Sequence, residues 1–282
     1  MKNINTNKNK ISIILCCYNS EPFLKETLDS VKKQSFKDWE LIIINDGSLD
    51  NTEKIILDFK LLNKELSITY FKQENRGLPF ARNKAVELAK YDWIAILDHD
   101  DLWVSNKLEI QNHEIIQNPD CYFFFGNNLY FNNKDNLKKT RFDKLLEIDL
   151  YDPRNLNLNK EAGYLNLIKH GCFITSSTVV FKKSIYQFVG GFNESYKFLS
   201  DYIFFNEIAE KNNLYCSKET LTSFRLSNNQ ATNKLHSTYV REMIRFYKTI
   251  YKSKMININI KLILLKRHIK LLIKYHFKNI FF

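Results

Sequence analysis

The sequence is poor in the residues on which the common nucleotide-binding loops depend. Among 282 residues there are 7 glycines and 4 prolines. No stretch follows G-x-G-x-x-G or G-x-x-x-x-G-K-[ST], the patterns whose glycines allow the backbone to approach a phosphate closely. The sequence therefore argues against a dinucleotide-binding Rossmann enzyme and against a P-loop nucleoside triphosphatase.

Long apolar runs and regularly spaced cysteines are also missing. No run of about 18 apolar residues is present, so we expect no membrane-spanning helix. The 5 cysteines are odd in number and lack C-x-x-C spacing, and the polar start followed by the short apolar run 11–15 is unlike a signal peptide. We therefore expect a reducing, cytoplasmic location.

The excess of basic residues lies at one end of the chain. Lys and Arg number 42 against 31 Asp and Glu, which gives a formal net charge of +11. Residues 241–282 contain eleven basic residues and one acid, Glu242, so this tail carries +10 and leaves +1 for residues 1–240. Because a nucleic-acid-binding protein spreads its basic residues over the binding face, we expect no nucleic-acid partner.

The rest of the chain has the composition and the pattern of an α/β domain. Hydrophobic residues make up 44% and aromatic residues 14%, enough to bury a substantial core. Between residues 11 and 98, short β-rich runs alternate with helical stretches, which predicts a mostly parallel sheet with helices on both faces. The predicted strands are 11–18, 41–45, 67–71 and 93–97, and the predicted helices are 22–34, 52–62 and 79–90.

Beyond residue 98 the pattern is less regular. The polar, Asn- and Lys-rich stretch 128–160 is predicted to be a long insertion loop or lid. The tail from about residue 234 is predicted to be helical. The remaining predictions are helices at 104–117, 162–169, 183–189 and 201–210, and buried strands at 121–126 and 173–181.

Acidic side chains follow two of the predicted strands. Asp46 ends one strand, and Asp98, Asp100 and Asp101 follow another. Ligands collect at the carboxyl ends of parallel strands, and oxygen ligands on a short loop suit a hard cation, so we expect a magnesium or manganese site that also holds a diphosphate. The alternative for each aspartate is a helix cap, which is the role that we expect for Asp101.

Six short motifs occur in a fixed order along the chain. They are S-I-I-L-C-C-Y-N at 12–19, I-I-N-D-G-S at 43–48, N-R-G-L-P-F-A-R-N at 75–83, I-L-D-H-D-D at 96–101, G-G-F-N-E at 190–194 and S-D-Y at 200–202. Together they resemble the inverting nucleotide-sugar glycosyltransferases of family 2, which have the GT-A fold. The resemblance covers roughly residues 11–230. It implies one GT-A domain at 11–232, with a nucleotide-sugar-binding half at 11–127 and an acceptor-binding half at 128–232, followed by a basic helical tail at 233–282.

The resemblance also implies roles in donor binding for individual residues. Tyr18 and Asp46 would frame the nucleotide base, with the Asp46 carboxylate accepting a hydrogen bond from the uracil N3–H. Arg82 would lie near the diphosphate. Asp98 and Asp100 would place the ribose and the divalent metal, with Asp100 as the direct ligand.

For catalysis, the resemblance implies that Asp201 is the general base. A single displacement at the sugar needs one carboxylate to accept the proton of the attacking hydroxyl, and it needs positive charge near the departing diphosphate. These needs match Asp201 and Arg82, but each residue has a structural alternative. Asp201 could cap the helix that follows it, and Arg82 could form a salt bridge on a solvated helix face.

The chain departs from the family pattern at three places. Asn45 stands where the family usually has the first acid of Asp-Asp-Gly-Ser, and Ser200 stands where it has the Glu of a Glu-Asp pair. Some members carry a metal-binding His shortly after a Tyr-Arg pair. Here the corresponding residues are Phe224-Arg225-Leu226-Ser227, and His236 is the nearest candidate.

The tail is predicted to form an amphipathic helix. Its apolar face consists of Leu262, Leu265, Ile269, Leu272 and Ile273, and its basic face consists of Arg267, Lys270, Lys274 and Lys278. Such a helix can lie on an anionic membrane, or its apolar face can pack on the domain, and the sequence leaves both open. A membrane-bound acceptor would favour peripheral attachment to the inner face of the cell membrane.

The resemblance implies transfer of a sugar from a UDP-sugar to a glycan or lipid-linked saccharide, in the assembly of cell-surface polysaccharide or lipopolysaccharide. Two other functions stay open. A sugar-phosphate nucleotidyltransferase shares the α/β plan and the use of a metal, but it should begin with a Gly-rich triphosphate-binding loop that residues 12–20 lack. A non-enzymatic basic protein that associates with membranes or nucleic acid would depend on the tail alone.

Overall fold

Nine strands and ten α-helices occur in the computed structural model, which describes residues 9–132, 136–149, 151–226, 237–252 and 256–280. The strands are β1 (Ile11–Cys17), β2 (Trp39–Asp46), β3 (Ile68–Gln73), β4 (Trp93–Asp98), β5 (Leu102–Trp103), β6 (Phe123–Phe131), β7 (Asn136–Thr140), β8 (Val180–Lys182) and β9 (Tyr215–Arg225). The helices are α1 (Leu24–Lys32), α2 (Thr52–Leu62), α3 (Leu78–Leu88), α4 (Lys107–Gln117), α5 (Arg141–Asp149), α6 (Ala162–His170), α7 (Lys183–Val189), α8 (Ser200–Lys211), α9 (Ser237–Lys252) and α10 (Ile258–Ile280). The strands form one sheet in the order β3-β2-β1-β4-β8-β6-β9-β5, and β7 pairs with β6 at the side.

The first four strands form the parallel half of the sheet. β1 lies between β2 and β4, and Ile14 of β1 pairs with Ile42 on one side and Ile96 on the other. Successive side chains of a strand point to opposite faces, so Ile13 packs with α1, α2 and α4, whereas Ile14 packs with α3. Both faces are covered, which explains the uninterrupted apolar runs in these strands. The predicted α/β fold is confirmed.

The second half of the sheet is mixed. β8 is antiparallel to β4 and to β6, β9 is parallel to β6, and β5 is antiparallel to β9. The predicted strand 173–181 is wrong, because this segment contains a 3-10 helix (Ser176–Thr178) before the short β8. β9 and β5 were not predicted, since polar residues interrupt the apolar pattern of β9 and β5 has only two residues.

The prediction of a long loop or lid at 128–160 is also wrong. This stretch contains the end of β6, then β7, α5 and a 3-10 helix (Pro153–Asn155). Phe142 of α5 is fully buried in the core, and Tyr151 is nearly so. Arg141 donates hydrogen bonds to the carbonyls of Phe173 (3.0 Å) and Cys172 (2.6 Å). A few apolar anchors therefore fix a segment whose overall composition is polar.

The tail helices α9 and α10 pack on the face that carries α6 and α8. Met243, Phe246 and Leu264 are buried in the core on that face. Glu242, the one acid of the tail, is buried and accepts hydrogen bonds from three backbone N–H groups of the segment before α8, at 2.6, 2.9 and 3.1 Å. The predicted boundary at 232/233 lies outside the described residues. No helix among those described is long and apolar enough to span a membrane.

Candidate active site

The predicted polar groups lie at one edge of the sheet, where β1, β2 and β4 end side by side. Cys17 of β1 pairs with Asn45 of β2, and Cys16 pairs with Asp98 of β4. Tyr18, Asp46 and Asp98 therefore follow or end three adjacent strands at the same level of the sheet.

The turn after β2 is built around Gly47. Its φ is +76°, and a Cβ at this position would lie 2.7 Å from the backbone nitrogen of Asn75, so only glycine fits. Asn45 is fully buried, accepts a hydrogen bond from the Ser48 backbone N–H (3.0 Å) and donates one to the Tyr70 hydroxyl (3.3 Å). An aspartate could not donate that second bond, which gives a local reason for asparagine at this position.

The carboxylate of Asp46 holds the segment that leads into α3. Its Oδ1 accepts hydrogen bonds from Gln73 Nε2 (2.7 Å) and the Arg76 backbone N–H (2.9 Å), and its Oδ2 accepts one from the Gly77 backbone N–H (2.9 Å). A carboxylate has about four acceptor positions, so one position on Oδ2 stays open. The Tyr18 side chain at the same edge is 45% exposed.

Arg82 joins two of the predicted aspartates. It lies on α3 and is 1% exposed. Its Nη2 donates to Asp98 Oδ1 (2.7 Å), and its Nη1 donates to Asp201 Oδ1. The alternative of a salt bridge on a solvated helix face is therefore wrong, because the guanidinium is buried between carboxylates from β4 and α8. Its place near a diphosphate stays a prediction.

Asp201 lies in the first turn of α8, but it does not cap the helix. Leu199 is the N-cap residue of α8, and no side-chain hydrogen bond caps this helix. The Asp201 carboxylate instead accepts from Arg82 through Oδ1 and from the Ser176 hydroxyl through Oδ2 (2.6 Å). Two side-chain donors from different elements thus fix its orientation.

The neighbours Asp100 and Asp101 have opposite surroundings. Asp101 is fully buried, and it accepts hydrogen bonds from the Ser177 hydroxyl (2.6 Å) and the Arg225 backbone N–H (3.1 Å). Burial raises the pKa of Asp101 well above its usual value, and the charges of Asp100 and Asp98 add to the rise. The predicted cap at Asp101 is wrong, because β5 follows it and α4 begins only at Lys107. The Asp100 carboxylate, in contrast, accepts no hydrogen bond from any residue that the structure describes.

The aspartates at this edge suit a divalent cation that binds together with a diphosphate. Within the described ranges no group of three or more His, Cys, Asp or Glu side chains could hold a metal alone. Asp98 and Asp100 supply two carboxylates, and Mg²⁺ sites of this kind take their other ligands from substrate phosphates and water. Burial raises the pKa of Asp98 against the opposing charge of Arg82, and the Asp201 and Asp100 carboxylates add to the rise. A bound cation would relieve this repulsion. His236 lies outside the described residues.

Sequence reasoning missed three residues that hold this site. Arg225 of β9 is buried, donates through Nε to the Asp100 carbonyl (2.9 Å) and through Nη2 to Glu26 (2.5 Å), and lies between the rings of Phe23 and Phe131. Its signal in the sequence was its position in the family's Tyr-Arg pair. Ser176 and Ser177 carry no such signal, because they lie in the segment 173–181, which was predicted to be a buried strand.

The cysteine nearest to these carboxylates is not a nucleophile. Cys16 is the second-last residue of β1 and pairs with Asp98, and burial raises the pKa of its thiol to about 12, against the opposing charge of Arg82. Since the thiolate is the reactive form, this side chain stays inert at neutral pH. The site therefore offers carboxylates as its reactive groups.

The fold and the site define a glycosyltransferase of the GT-A type. The model of the family described as glycosyl transferase family 2 matches residues 12–190. The chain belongs to this family. Among curated relatives it is 31% identical, over 232 residues, to the UDP-Glc:alpha-D-GlcNAc-diphosphoundecaprenol beta-1,3-glucosyltransferase WfgD of Escherichia coli, which covers 78% of this chain and 80% of that protein.

Solved structures support the same fold. S. aureus TarS in complex with UDP aligns with a TM-score of 0.68 at 20% identity, over 93% of this chain and 72% of that chain. The mannosyltransferase PcManGT from Pyrobaculum calidifontis, in complex with GDP-Man and Mn²⁺, aligns with a TM-score of 0.62 at 16% identity, over 93% of this chain and 70% of that chain. At these identities the likeness extends to the fold alone.

Proposed function

We propose that this glycosyltransferase moves a sugar from a UDP-sugar to a saccharide or lipid-linked saccharide, with inversion at the anomeric carbon and with a divalent cation. The observation that carries the proposal is the arrangement around Arg82. Its guanidinium contacts Asp98 at the end of β4 and Asp201 at the start of α8. The Asp100 carboxylate, which accepts no hydrogen bond from the described residues, is close enough to Asp98 for its charge to raise the pKa of Asp98. The edge proposed to bind the donor and the proposed proton acceptor thus meet at Arg82, and we call this region the cleft.

The nucleotide would lie at the ends of β1 and β2. The exposed ring of Tyr18 offers an apolar face to a base, and the open acceptor position on Asp46 Oδ2 can take the N3–H of uracil. Two of the compared proteins involve uridine nucleotides: TarS was solved in complex with UDP, and WfgD is named as a transferase that uses UDP-Glc. We infer from these two lines that the donor is a UDP-sugar.

Asp98 and Asp100 are the residues that would hold magnesium or manganese. A cation there would neutralise the charge that develops on the departing diphosphate. Asp98 also accepts a hydrogen bond from Arg82, and Arg82 contacts Asp201. The proposed cation ligand is therefore linked through Arg82 to the proposed general base. The Mn²⁺ in the PcManGT complex supports the choice of manganese for experiments.

The chemical step needs one proton acceptor. The acceptor hydroxyl oxygen forms a bond to the anomeric carbon while the bond from that carbon to the diphosphate oxygen breaks, and the hydroxyl proton passes to the Asp201 carboxylate. Because Arg82 and Ser176 hold both oxygens of Asp201, its remaining lone pairs have a fixed direction. One displacement from the face opposite the diphosphate inverts the anomeric centre.

The proposed acceptor substrate is based on the relative WfgD, and the proposed membrane location is based on WfgD and on the tail helix α10. WfgD is named for a diphosphoundecaprenol-linked acceptor, so we propose a lipid-linked saccharide in cell-surface polysaccharide or lipopolysaccharide assembly and a place at the cytoplasmic face of the membrane. α10 packs on the domain through Leu264, and Arg267 Nη1 donates to the Ile168 carbonyl (3.2 Å). The sequence had placed Arg267 on a solvent-facing basic side, but it faces α6.

A different side of α10 remains exposed. Ile258, Leu262, Leu265 and Ile269 form an exposed stripe at i, i+4, i+7 and i+11. The side chains of Leu272 and Ile273 lie outside the described ones. Lys261 and Lys266 flank the stripe, and the only acid of the tail, Glu242, is buried. Apolar residues between lysines fit an anionic bilayer, and we propose this stripe as the contact.

Vesicle binding tests the contact. The double variant Leu262→Glu/Leu265→Glu should lose co-sedimentation with phosphatidylglycerol vesicles and keep donor hydrolysis, because both side chains are exposed on α10 and neither belongs to the proposed active site. The matched control is Leu61→Glu, an exposed leucine of α2. Unchanged vesicle binding of the double variant would refute the contact.

Ligand binding tests the proposed donor. UDP with Mn²⁺ should raise the melting temperature by several degrees, since a ligand at 100 times its Kd stabilises by about 2.7 kcal/mol, and GDP should do so less. A screen of UDP-sugars and GDP-mannose for donor hydrolysis then names the sugar. No stabilisation by UDP would refute the donor assignment. Pyrophosphate release from UTP and a sugar 1-phosphate would instead favour the nucleotidyltransferase.

A further inference from the structure

A short turn lies between the two carboxylate-bearing sides of the cleft. It is the 3-10 helix Ser176–Thr178. The Ser176 hydroxyl donates to Asp201 Oδ2 (2.6 Å), whereas the Ser177 hydroxyl donates to Asp101 Oδ2 (2.6 Å) and accepts from the Asp98 backbone N–H (3.1 Å). Adjacent serines therefore contact the start of α8 and the 98–101 loop.

The turn is itself held by buried hydrogen bonds. The Ser177 carbonyl accepts from Trp103 Nε1 (2.7 Å) and from the Thr222 hydroxyl (3.2 Å). The Thr178 carbonyl accepts from Gln111 Nε2 (2.8 Å), and both Ser177 and Thr178 are fully buried. A buried network whose members are satisfied is rigid, so the turn can serve as a fixed reference for both sides of the cleft.

We propose that Ser176 and Ser177 are positioning residues of the transfer reaction: Ser176 orients the Asp201 carboxylate toward the acceptor hydroxyl, and Ser177 fixes the loop that carries Asp98 and Asp100. The inference rests on the proposed role of Asp201 as the general base.

Ser176 adds what Arg82 alone does not supply. Arg82 contacts Asp201 through Oδ1 only, and a carboxylate held at one oxygen can still rotate about its last side-chain bond. The bond from Ser176 to Oδ2 fixes the plane of the carboxylate. Since a misplacement of about 1 Å can lower a rate about 100-fold, this second contact has a kinetic consequence.

Ser177 acts on the 98–101 loop through Asp101, a buried residue that does not face the cleft. Asp101 is fully buried, and its two acceptor contacts tie the loop to the turn and to β9. Loss of the Ser177 hydroxyl leaves Asp101 Oδ2 buried without this donor, which costs stability as well as loop position.

The test compares the two serines in one assay of UDP-sugar transfer. Ser176→Ala should lower kcat by about 10- to 100-fold, with the KM for the donor, the affinity for UDP with Mn²⁺ and the melting temperature close to those of the unmodified protein. Ser176→Thr keeps the hydroxyl and should restore most of kcat. Ser177→Ala should instead lower the melting temperature and weaken binding of UDP with Mn²⁺.

Three results would overturn the inference. They are an unchanged kcat in Ser176→Ala, equal losses in kcat and UDP affinity in that variant, or no rescue by Ser176→Thr. Asp201→Asn in the same assay separates this failure from that of the proposed function. If Asp201→Asn keeps full transfer, the assignment of the base is wrong. If it loses transfer while Ser176→Ala does not, only the positioning role is wrong.

Discussion

The loop after β4 and the first turn of α8 both present aspartates to the cleft, but they hold them differently. Asp100 in the loop accepts no hydrogen bond from the described part of the chain. Asp201 in α8 accepts hydrogen bonds at both oxygens, from Arg82 and, at 3.5 Å, from the Ser200 hydroxyl at Oδ1, and from the Ser176 hydroxyl at Oδ2. A carboxylate that binds a cation gains from free oxygens, and a general base gains from a fixed direction. The comparison therefore separates donor binding in the loop from proton acceptance at the helix.

The largest effect is expected at the helix. Asp201→Asn keeps the size of the side chain and an oxygen for Arg82, but it cannot accept the proton, so transfer should fall by about 10³-fold. UDP binding should stay nearly intact, because Asp201 is not one of the residues proposed to bind the UDP-sugar. Transfer rates and calorimetric titration with UDP and Mn²⁺ measure the two quantities. A matching loss of UDP affinity would mean that Asp201 binds the donor, and it would contradict the separation between donor binding by the loop and proton acceptance by α8.

The next largest effect is expected at Asp100, the loop carboxylate that accepts no hydrogen bond from the described residues. Asp100→Ala should lower transfer by about 100-fold and abolish the part of UDP binding that depends on Mn²⁺. The melting temperature without ligand should not fall, since the carboxylate accepts no hydrogen bond in the described chain and its charge repels those of Asp98 and Asp101. Thermal shift with and without Mn²⁺ measures both. Asp58→Ala, an exposed aspartate of α2, serves as the control. Retained Mn²⁺ dependence would argue that Asp98 alone holds the cation.

At the neighbouring Asp101, a substitution should lower the stability of the fold more than it lowers transfer, which is the opposite of the result expected at Asp100. Asp101→Ala leaves the Ser177 hydroxyl and the Arg225 backbone N–H without their buried acceptor, so the free energy of unfolding should fall by about 2–3 kcal/mol. Transfer by the folded fraction should fall less than in Asp100→Ala. Urea denaturation and transfer assays below the transition measure the two effects. An unchanged free energy of unfolding would contradict the structural role.

The sequence predicted the donor-binding half of the fold and most of its polar groups, because each strand there is a short apolar run that ends in a polar turn. Tyr18, Asp46 and Asp98 meet at one edge as predicted from strand order alone. The burial and the hydrogen bonds of each aspartate could not be predicted from the order of the strands. Asp101 is buried because it contacts Ser177 and Arg225, which are over 70 residues away in the chain, whereas Asp100 accepts no hydrogen bond within the described ranges.

The second half of the fold was harder to predict for a related reason. Its elements are short or polar, and long-range contacts determine them. The buried side chain of Phe142 anchors α5 within a polar stretch, and the position of β9 in the sheet is determined by its pairing with β6. Similarly, the tail has apolar residues on more than one side, and the packing of Ile260 and Leu264 in the core shows which side of α10 the domain covers.

A buried carboxylate outside the cleft shows what burial does without a catalytic role, and its removal should have the smallest effect on transfer. Burial raises the pKa of Glu114 on α4 to about 7, with Glu219 adding to the rise and Ser217 and Lys107 opposing it. The folded state then holds a proton that the unfolded state releases above about pH 4.5, so the free energy of unfolding falls as the pH rises from about 4.5 to about 7.

Glu114→Gln stays neutral and should remove this fall. Relative to its effect at pH 4, the variant should gain about 1–3 kcal/mol of stability at pH 8, while transfer stays unchanged. Urea denaturation from pH 4 to pH 8 measures the difference, and Glu109→Gln, an exposed glutamate of the same helix, controls for the loss of one charge. Parallel stability curves for Glu114→Gln and the unmodified protein would show that Glu114 is charged in the folded state.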